Sequence, residues 1–378
     1  MVEQYKCAED SRKSIRIFYL WPHPIPDHFN RAMYQHVLCL ARMHHVIFVG
    51  RKRKHIPNEI KRLVHWIGIP GGKVDIPLYF LGAFFLFLRN LRYRHETVIY
   101  TFNGETSYLG LAGKILGYKW VIDIFDDPGL PLALKIDFFS KLKVYLRVWF
   151  FKLFANMSDA VIAAIMPEVL SNYRVDRRKI CAITNGVDFE RVREVVENTG
   201  ASTHVPHHKA SKELTLAYVG PVRVERGIDF LIEAVSRAQK KNSLTFKLVL
   251  IGPISHKDLR WVTASSMAKG ITVDILSEQP HENALRLAGS ADICFHFFQR
   301  NQNYEHAYPI KVFEYMALGK PIIALDCKSM RRVISHNVNG FLVNSVDEAA
   351  YYINQLANSP DLRRQVGLNA ISTVQQYD

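Results

Sequence analysis

The order of apolar and amphipathic segments restricts the fold of this chain more than any other feature. Short runs rich in Val, Ile and Phe alternate with longer segments whose apolar residues recur every three or four positions, a pattern typical of strands followed by helices. The alternation ends near residue 188 and restarts at residue 214, and residues 195–212 are polar and read as a linker. We therefore predict an α/β protein with two doubly wound, Rossmann-like domains, residues 1–200 and 201–378.

Each half contains a series of predicted strands. They are residues 14–20, 45–50, 97–102, 120–127, 159–165 and 179–188 in the first half, and 214–220, 246–252, 271–276, 291–298, 321–325 and 340–343 in the second. Ligands of doubly wound sheets bind at the carboxyl ends of the strands. The loops that follow these strands are therefore the candidate binding segments.

Composition excludes several classes of protein. The chain has 378 residues, and its hydrophobic content of 48% argues against disorder. Its five cysteines are scattered without metal-ligand spacing, which indicates reduced thiols and a cytoplasmic location. The first residues are polar, and no apolar run reaches the ~20 residues of a membrane-spanning helix. We expect a soluble protein or one that is peripheral on the cytoplasmic face of a membrane.

The net charge of +14 predicts an anionic partner. Residues 1–200 contain 29 Lys and Arg against 19 Asp and Glu, so most of the excess lies in the first half. No zinc-finger spacing or RNA-recognition motif accompanies the charge, and we expect no nucleic acid partner. Phosphate groups or anionic lipid are the anionic partners that we expect instead of nucleic acid.

Residues 134–154 are a candidate membrane-surface helix. Cationic residues are interleaved there with aromatic and leucine residues at helical spacing, as in helices that lie in a membrane interface. A core helix with basic residues on its solvent side explains the same pattern equally well.

The stretch from Tyr308 to Pro321 is the most informative for function. It follows an apolar strand and a polar loop, and Pro309 suits the first turn of a helix that Gly319 and Pro321 end. The amides of such a helix start form an anion site, and Glu314 lies about one turn away, where it could accept hydrogen bonds from a sugar diol. A solvated helical glutamate is the alternative.

This stretch resembles the donor-binding helix of retaining GT-B glycosyltransferases of family 4 (glycosyltransferase group 1), which often read Pro-x-Lys-x-Phe-Glu-Tyr-Met-Ala-x-Gly-Lys-Pro. The resemblance implies two domains facing a cleft and a nucleotide-sugar donor. It implies that Glu314 binds the donor ribose, and that Pro309, Ile310 and Lys311 lie at the donor phosphates. A second resemblance, Ile-x-Asn-Gly-Val-Asp at residues 183–188, closes the first domain of such proteins.

The loop after the strand at 214–220 is a second candidate phosphate site. Its sequence is Gly-Pro-Val-Arg-Val-Glu-Arg-Gly, and a basic loop closed by glycine before a helix suits a diphosphate. Members of the family usually read Gly-Arg-x-x-x-x-Lys-Gly here. Gly220, Arg226 and Gly227 fit the pattern, since Arg226 keeps the charge of the lysine. Arg223 is a candidate substitute for the arginine, because Pro221 occupies the usual arginine position. An exposed loop arginine is the alternative for each.

Other positions depart from the family or remain open. Many members have a glutamate eight residues before the position of Glu314; here that residue is His306, next to Glu305, which leaves the contact with the donor sugar open. Asp126 and Asp127 end the strand at 120–127, where they could orient or deprotonate an acceptor hydroxyl or simply form the turn. We place Asp126 and His306 in the candidate catalytic set. Members usually continue with a helix that crosses back onto the first domain, so the end at Asp378 suggests a truncated chain or weaker domain packing.

The resemblance predicts a retaining glycosyltransferase that moves a sugar from a nucleoside diphosphate to an acceptor hydroxyl, on a glycan or lipid-linked precursor. No Asp-x-Asp motif is visible, so no cofactor or metal is expected. A nucleotide-sugar-binding protein without turnover is the alternative that Pro221 and His306 leave open.

Overall fold

The computed structural model describes residues 15–21, 31–51, 62–69, 76–102, 104, 106–125, 127–129, 137–197, 213–298, 305–306 and 308–378. The chain divides into two compact units, Met1–Ile183 and Thr184–Asp378. The described strands form two sheets, of seven and six strands, in which all strand pairs are parallel. The predicted α/β class with two doubly wound sheets is therefore confirmed.

The first unit contains the seven-stranded sheet. Its strands are β1 (Arg16–Trp21), β2 (His45–Arg51), β3 (His65–Ile69), β4 (Thr97–Phe102), β5 (Lys119–Ile124), β6 (Ala160–Ala163) and β7 (Ile180–Ala182), in the order β3-β2-β1-β4-β5-β6-β7. The described helices are α1 (Arg31–Met43), α2 (Ile76–Arg89), α3 (Thr106–Ile115), α4 (Phe138–Met157) and α5 (Pro167–Ser171). The direction of progression reverses between β1 and β4, which is the arrangement that places ligands at this strand pair.

The two faces of the first sheet are packed differently. On one face, the rings of Trp66, Phe48, Tyr19 and Tyr100 stack in sequence across β3, β2, β1 and β4, with centroids 4.8, 5.2 and 5.1 Å apart. On the other face, Phe18 is paired in register with Ile99 and Ile99 with Trp120. Helices pack over that second face, because Phe18 contacts Phe87 of α2 and a Cβ at Gly110 of α3 would overlap the Trp120 ring.

The second unit repeats the plan with six strands. They are β8 (Glu213–Val219), β9 (Thr245–Ile251), β10 (Thr272–Leu276), β11 (Ile293–His296), β12 (Ile322–Leu325) and β13 (Phe341–Val343), in the order β10-β9-β8-β11-β12-β13. Its helices are α6 (Phe189–Glu197), α7 (Ile228–Gln239), α8 (His256–Lys269), α9 (His281–Ser290), α10 (Ile310–Ala317), α11 (Met330–Val333), α12 (Val346–Asn358) and α13 (Pro360–Val374). The direction of progression reverses between β8 and β11, and we call this position the switch point of the second sheet. The loops after these two strands meet there.

The division between the units falls before the predicted boundary at residue 200. Helix α6 buries Phe189 and Val192, and it packs against α9 and α10 of the second unit. The last residues of the chain hold the segment before it: the Val187 amide donates to the Tyr377 carbonyl at 3.1 Å, and the Phe189 amide donates to Asp378 at 2.9 Å. The apolar side of α6 therefore assigns residues 184–197 to the second unit.

Gly186 lies where two backbone segments approach closely. Strand β7 ends at Ala182, and the segment after it does not turn tightly at Asn185 and Gly186. A Cβ at Gly186 would lie 2.2 Å from the Tyr377 carbonyl oxygen. The glycine is required by this close backbone approach and not by a turn.

No helix among the described residues combines the length and the apolar content needed to cross a bilayer.

Candidate functional site in the second unit

The loop after β8 is shaped by two glycines. Gly220 has φ +136°, and a Cβ there would lie 2.4 Å from the Lys311 ammonium nitrogen. Gly227 has φ +80°, ends the short 3-10 helix Val224–Arg226 and begins α7; a Cβ there would lie 2.9 Å from the Phe298 amide nitrogen. Both positions need a residue without a side chain, because an L side chain rarely adopts such φ values and each site is closely packed. The loop therefore lies directly against the ends of α10 and β11.

Helix α10 is fixed to the end of β8. Pro309 caps it with extended backbone angles, Ile310 and Lys311 form its first turn, and Val312, Phe313 and Met316 are buried. The Tyr315 hydroxyl accepts a hydrogen bond from the Val219 amide at 2.9 Å. Pro309 thus stands one residue before the helix and not within its first turn. The first amides of the helix point along the axis toward the loop, where the positive end of the helix dipole favours an anion.

Three basic groups converge at this point. The Lys311 ammonium lies 4.5 Å from the centre of the Tyr218 ring. Burial of that ammonium, reinforced by the charge of Arg226, lowers the pKa of Lys311 from 10.5 to about 7, although Glu314 opposes the shift. Burial, and then Lys311 and Arg226, also lower the pKa of His296 well below its ordinary value. The charged forms of these groups repel one another, so an anion bound among them would stabilise those charged forms.

His296 is a site residue that the sequence analysis missed. It lies in β11, is 8% exposed, and its Nδ1 atom makes no hydrogen bond within the described structure. The only sequence signal was a histidine inside an apolar strand, two residues before a polar loop. A buried nitrogen with hydrogen-bonding capacity near two cations makes this cluster a candidate polar ligand site.

Glu314 is paired with His281. Its Oε1 atom contacts Nε2 of His281, the first residue of α9, and the Glu314 side chain is 13% exposed. The carboxylate is thus fixed by a group from a separate helix, and it lies within electrostatic reach of Lys311, as Arg226 does. The structure therefore brings the predicted residues Arg226, Lys311 and Glu314 within electrostatic range of one another, and adds His281 and His296 to the cluster.

Arg223 lies in the loop after β8, and His306 lies in the segment before α10. Arg223 is exposed at the start of the 3-10 helix, and its carbonyl accepts from the Arg226 amide at 3.0 Å. His306 is half-buried in the segment before α10. Its neighbour Glu305 accepts a hydrogen bond from the Lys328 amide at 3.2 Å and its carbonyl accepts one from Ser329 at 3.0 Å. The Glu305 carboxylate is therefore bound to the loop after β12.

In the first unit, the candidate Asp126 lies outside the described residues. Its neighbour Asp127 closes a turn: its Oδ1 accepts from the Gly129 amide at 2.9 Å and from the Tyr173 hydroxyl. The turn-forming alternative thus accounts for Asp127.

A buried polar cluster in the first unit had no sequence signal. The Tyr100 hydroxyl donates to Asp123 at 2.6 Å, and Nδ1 of His36 lies 3.3 Å from the same carboxylate oxygen. Burial, followed by the charge of Asp123, raises the pKa of Tyr100 well above its ordinary value. The three residues lie on α1, β4 and β5, so only the sheet order brings them together.

The fold and the site together define an α/β protein with two doubly wound sheets, whose second unit places a cluster of basic groups beside a fixed carboxylate. Residues 201–373 match the family model described as glycosyl transferases group 1. These residues include all six strands of the second sheet. The resemblance predicted from the sequence is therefore confirmed for residues 201–373.

The chain is also similar to curated proteins over part of its length and to solved structures in its fold. An uncharacterised glycosyltransferase of Haemophilus influenzae is 23% identical over 186 residues, which are 47% of this chain and 49% of that protein. The chain spans about half the length of the curated relatives it matches. A glycosyltransferase from Rickettsia africae has the same fold, with a TM-score of 0.69, 18% identity, and 97% and 94% of the two chains covered. So does Anabaena HepE in complex with UDP-glucose, with a TM-score of 0.67, 15% identity, and 96% of each chain covered.

Proposed function

We propose that this chain is a retaining glycosyltransferase that transfers a sugar from a nucleoside diphosphate donor to an acceptor hydroxyl. The observation that carries the proposal is the convergence of Arg226, Lys311 and the start of α10 at the switch point of the second sheet. The group 1 domain match supports the reaction class. Retention of configuration follows from the family resemblance of residues 309–321.

The chemistry requires stabilisation of the leaving diphosphate. As the bond between the sugar and the phosphate breaks, negative charge grows on the phosphate oxygens, and fixed cations and amides aimed at that charge lower the barrier. Arg226 can hold a phosphate in a bidentate manner, and Lys311 and the first amides of α10 add charge and donors. Because these groups already supply positive charge, we propose that transfer needs no metal; added EDTA should leave the rate unchanged.

Glu314 is assigned to the donor ribose in this proposal. A carboxylate that is held by His281 presents its remaining lone pairs in a fixed direction, as recognition of a diol requires. His306 is the candidate for contact with the donor sugar, and Asp126 for the acceptor hydroxyl. UDP is the first nucleotide to test, because Anabaena HepE, which shares the fold, was crystallised with UDP-glucose.

The test compares donor binding and transfer in two glutamate variants. Glu314→Ala removes charge-assisted hydrogen bonds worth roughly 1.5–3 kcal/mol each, so UDP or GDP affinity should fall roughly 10- to 150-fold. Glu194→Ala, an exposed glutamate of α6, is the matched control and should bind like the wild type. Affinities come from calorimetry after a thermal-shift screen of nucleotides and their sugars. Equal nucleotide affinity in Glu314→Ala and Glu194→Ala would refute the ribose assignment.

Turnover separates the enzyme from a nucleotide-sugar-binding protein. Release of nucleoside diphosphate from the donor, with and without glycan acceptors, is the measurement. Binding without any release or transfer across the donor and acceptor panel would favour the binding protein, which remains the second candidate because His306 and Pro221 depart from the family pattern.

The acceptor in this proposal is a glycan or lipid-linked precursor at the cytoplasmic face of a membrane. Helix α4, which overlaps the candidate membrane-surface stretch 134–154, exposes Tyr145 and Trp149 and carries exposed lysines, which supports access to a membrane-held substrate. Products that partition into organic solvent would support this acceptor class, and products confined to the aqueous phase would contradict it.

A further inference from the structure

Helix α2 has no polar side. Residues 76–88 contain no charged residue. One side of the helix is buried through Tyr79, Ala83 and Phe87, and the opposite side exposes a stripe of leucine and phenylalanine that includes Leu81 at 53% and Phe85 at 60%. A helix that is apolar all round is normally buried or in contact with lipid. Half of this one faces outward.

Helix α4 repeats the arrangement with more aromatic residues. Its buried side is formed by Phe151, Phe154 and Ala155. Its outer side is a stripe at the spacing of successive helical turns, with exposures between 40% and 74%: Phe138, Leu142, Tyr145, Leu146, Trp149 and Leu153. An ordinary surface helix would have polar residues here, so the apolar residues are oriented outward instead of toward the core.

The two stripes belong to one face of the molecule. Helix α3 lies between α2 and α4 and packs on both. Its Tyr108 ring lies 4.9 Å from that of Phe154, and a Cβ at Gly113 would touch the Phe87 ring at 3.6 Å. All three helices cover the sheet face that carries Phe18, Ile99 and Trp120, so their outer sides point away from the sheet in common. We call the outer sides of α2, α3 and α4 the apolar face.

Cationic residues border the apolar stripe of α4. At about 100° per residue, Lys141 and Lys152 lie along one edge of the stripe, and Lys143 and Arg147 lie along the other. Arg147 also donates to the Pro128 carbonyl at 2.7 Å. An apolar centre with Trp and Tyr, bordered on both sides by Lys and Arg, is the composition of a helix that lies in the plane of an anionic membrane surface.

We propose that the apolar face docks this protein onto an anionic phospholipid bilayer, with α2 and α4 lying in the interface. The cations then reach lipid phosphates while the stripes enter the acyl boundary by roughly 5–10 Å. A second copy of the chain fits the face less well, because residues 1–200 have ten more cationic than acidic residues and a symmetric contact would bring the same lysines together. The docking stands independently of the transferase proposal.

The test is sedimentation of the full chain with vesicles of phosphatidylcholine, alone or with phosphatidylglycerol. Phe85→Ser with Trp149→Ser should lower partitioning at least roughly tenfold, since two exposed aromatic residues no longer enter the interface. The matched control is Met267→Ser with Tyr351→Ser, two exposed residues of the second unit, which should bind like the wild type.

A second pair of variants tests the charges. Lys141→Gln with Lys143→Gln should lower partitioning to the anionic vesicles roughly 25-fold and leave partitioning to phosphatidylcholine unchanged, because each cation contributes roughly fivefold near an anionic surface. The matched control is Lys257→Gln with Arg260→Gln on α8, both exposed.

Three results would overturn the proposal. The first is a wild-type chain that does not sediment with anionic vesicles, and the second is a variant with Phe85→Ser, Trp149→Ser, Lys141→Gln and Lys143→Gln that sediments as well as the wild type. The third is a concentration-dependent dimer in analytical ultracentrifugation that Phe85→Ser and Trp149→Ser abolish, since the face would then be an interface between copies. Circular dichroism of each variant should match the wild type, because the altered side chains are exposed.

Discussion

Lys311 provides the sharpest test of the basic cluster formed by Arg226, His296 and Lys311. Burial and Arg226 lower its pKa from 10.5 to about 7, and the difference corresponds to roughly 5 kcal/mol of destabilisation when the ammonium is charged in the folded state. This is an upper bound, since local relaxation and water reduce such penalties. Lys311→Met removes the charge and keeps an apolar chain against the Tyr218 ring. We therefore expect Lys311→Met to be more stable than the wild type by roughly 2–5 kcal/mol at pH 6.

The pH dependence of that difference has a definite sign. Below about pH 7 the lysine is charged in both folded and unfolded states, so the wild type bears the full penalty. Between about pH 7 and 10.5 the unfolded state binds more protons than the folded state, so the stability of the wild type rises with pH. The advantage of Lys311→Met should therefore shrink across that interval.

Urea unfolding between pH 6 and 9.5 measures the difference directly. Lys240→Met, which replaces an exposed lysine of the same unit, is the control and should show no pH-dependent difference. Lys311→Met should also bind UDP or GDP more weakly, because the cation that destabilises the empty site stabilises the bound diphosphate. A Lys311→Met variant that is less stable than the wild type at pH 6, or a difference that does not vary with pH, would refute the reasoning.

Two further predictions concern the loop after β8. Arg226→Gln should lower the affinity for a nucleoside diphosphate roughly 10- to 100-fold in calorimetry. Arg223→Gln should change that affinity less than about threefold, because an exposed cation is screened. Equal losses in the two variants would show that both arginines hold the phosphates. Gly220→Ala should lower the free energy of unfolding by roughly 1–3 kcal/mol and weaken nucleotide binding, because the φ of +136° is strained for alanine and its Cβ would displace the Lys311 ammonium. Gly270→Ala, at φ +64° in open space, should lose about 1 kcal/mol without altering binding; a binding defect in both glycine variants would point to a general effect of lost stability.

The strands at the centre of each sheet could be predicted because they are buried on both faces. Residues 45–50 and 97–102 are nearly continuous apolar runs, and the structure contains β2 and β4 at those positions. Strand β3 was missed because it lies at the sheet edge, where only Ile69 is buried and Gly68 interrupts the pattern. Helix α8 was missed for a related reason: it buries only Asp258, Val262 and Ser266, too few apolar residues to produce a helical period.

The residues of the candidate site also differ in whether local sequence or packing between elements defines them. Arg226, Lys311 and Glu314 could be selected from the sequence because glycines and a proline fix their spacing from a strand end, and local backbone geometry follows from such residues. His281 and His296 could not be selected in this way. His281 contacts Glu314, 33 positions away, and His296 interacts electrostatically with Lys311, 15 positions away, each on another element.

The amino-acid sequence by itself determined the strand–helix alternation, the two domains and the cationic loop, since each depends on residues close together in the chain. Only the tertiary structure decided which basic groups lie close enough together to depress one another's pKa, since their proximity depends on how β8, β11 and α10 pack. It also decided that the apolar sides of α2 and α4 face outward, because helical periodicity shows that a stripe exists but not which side the sheet covers.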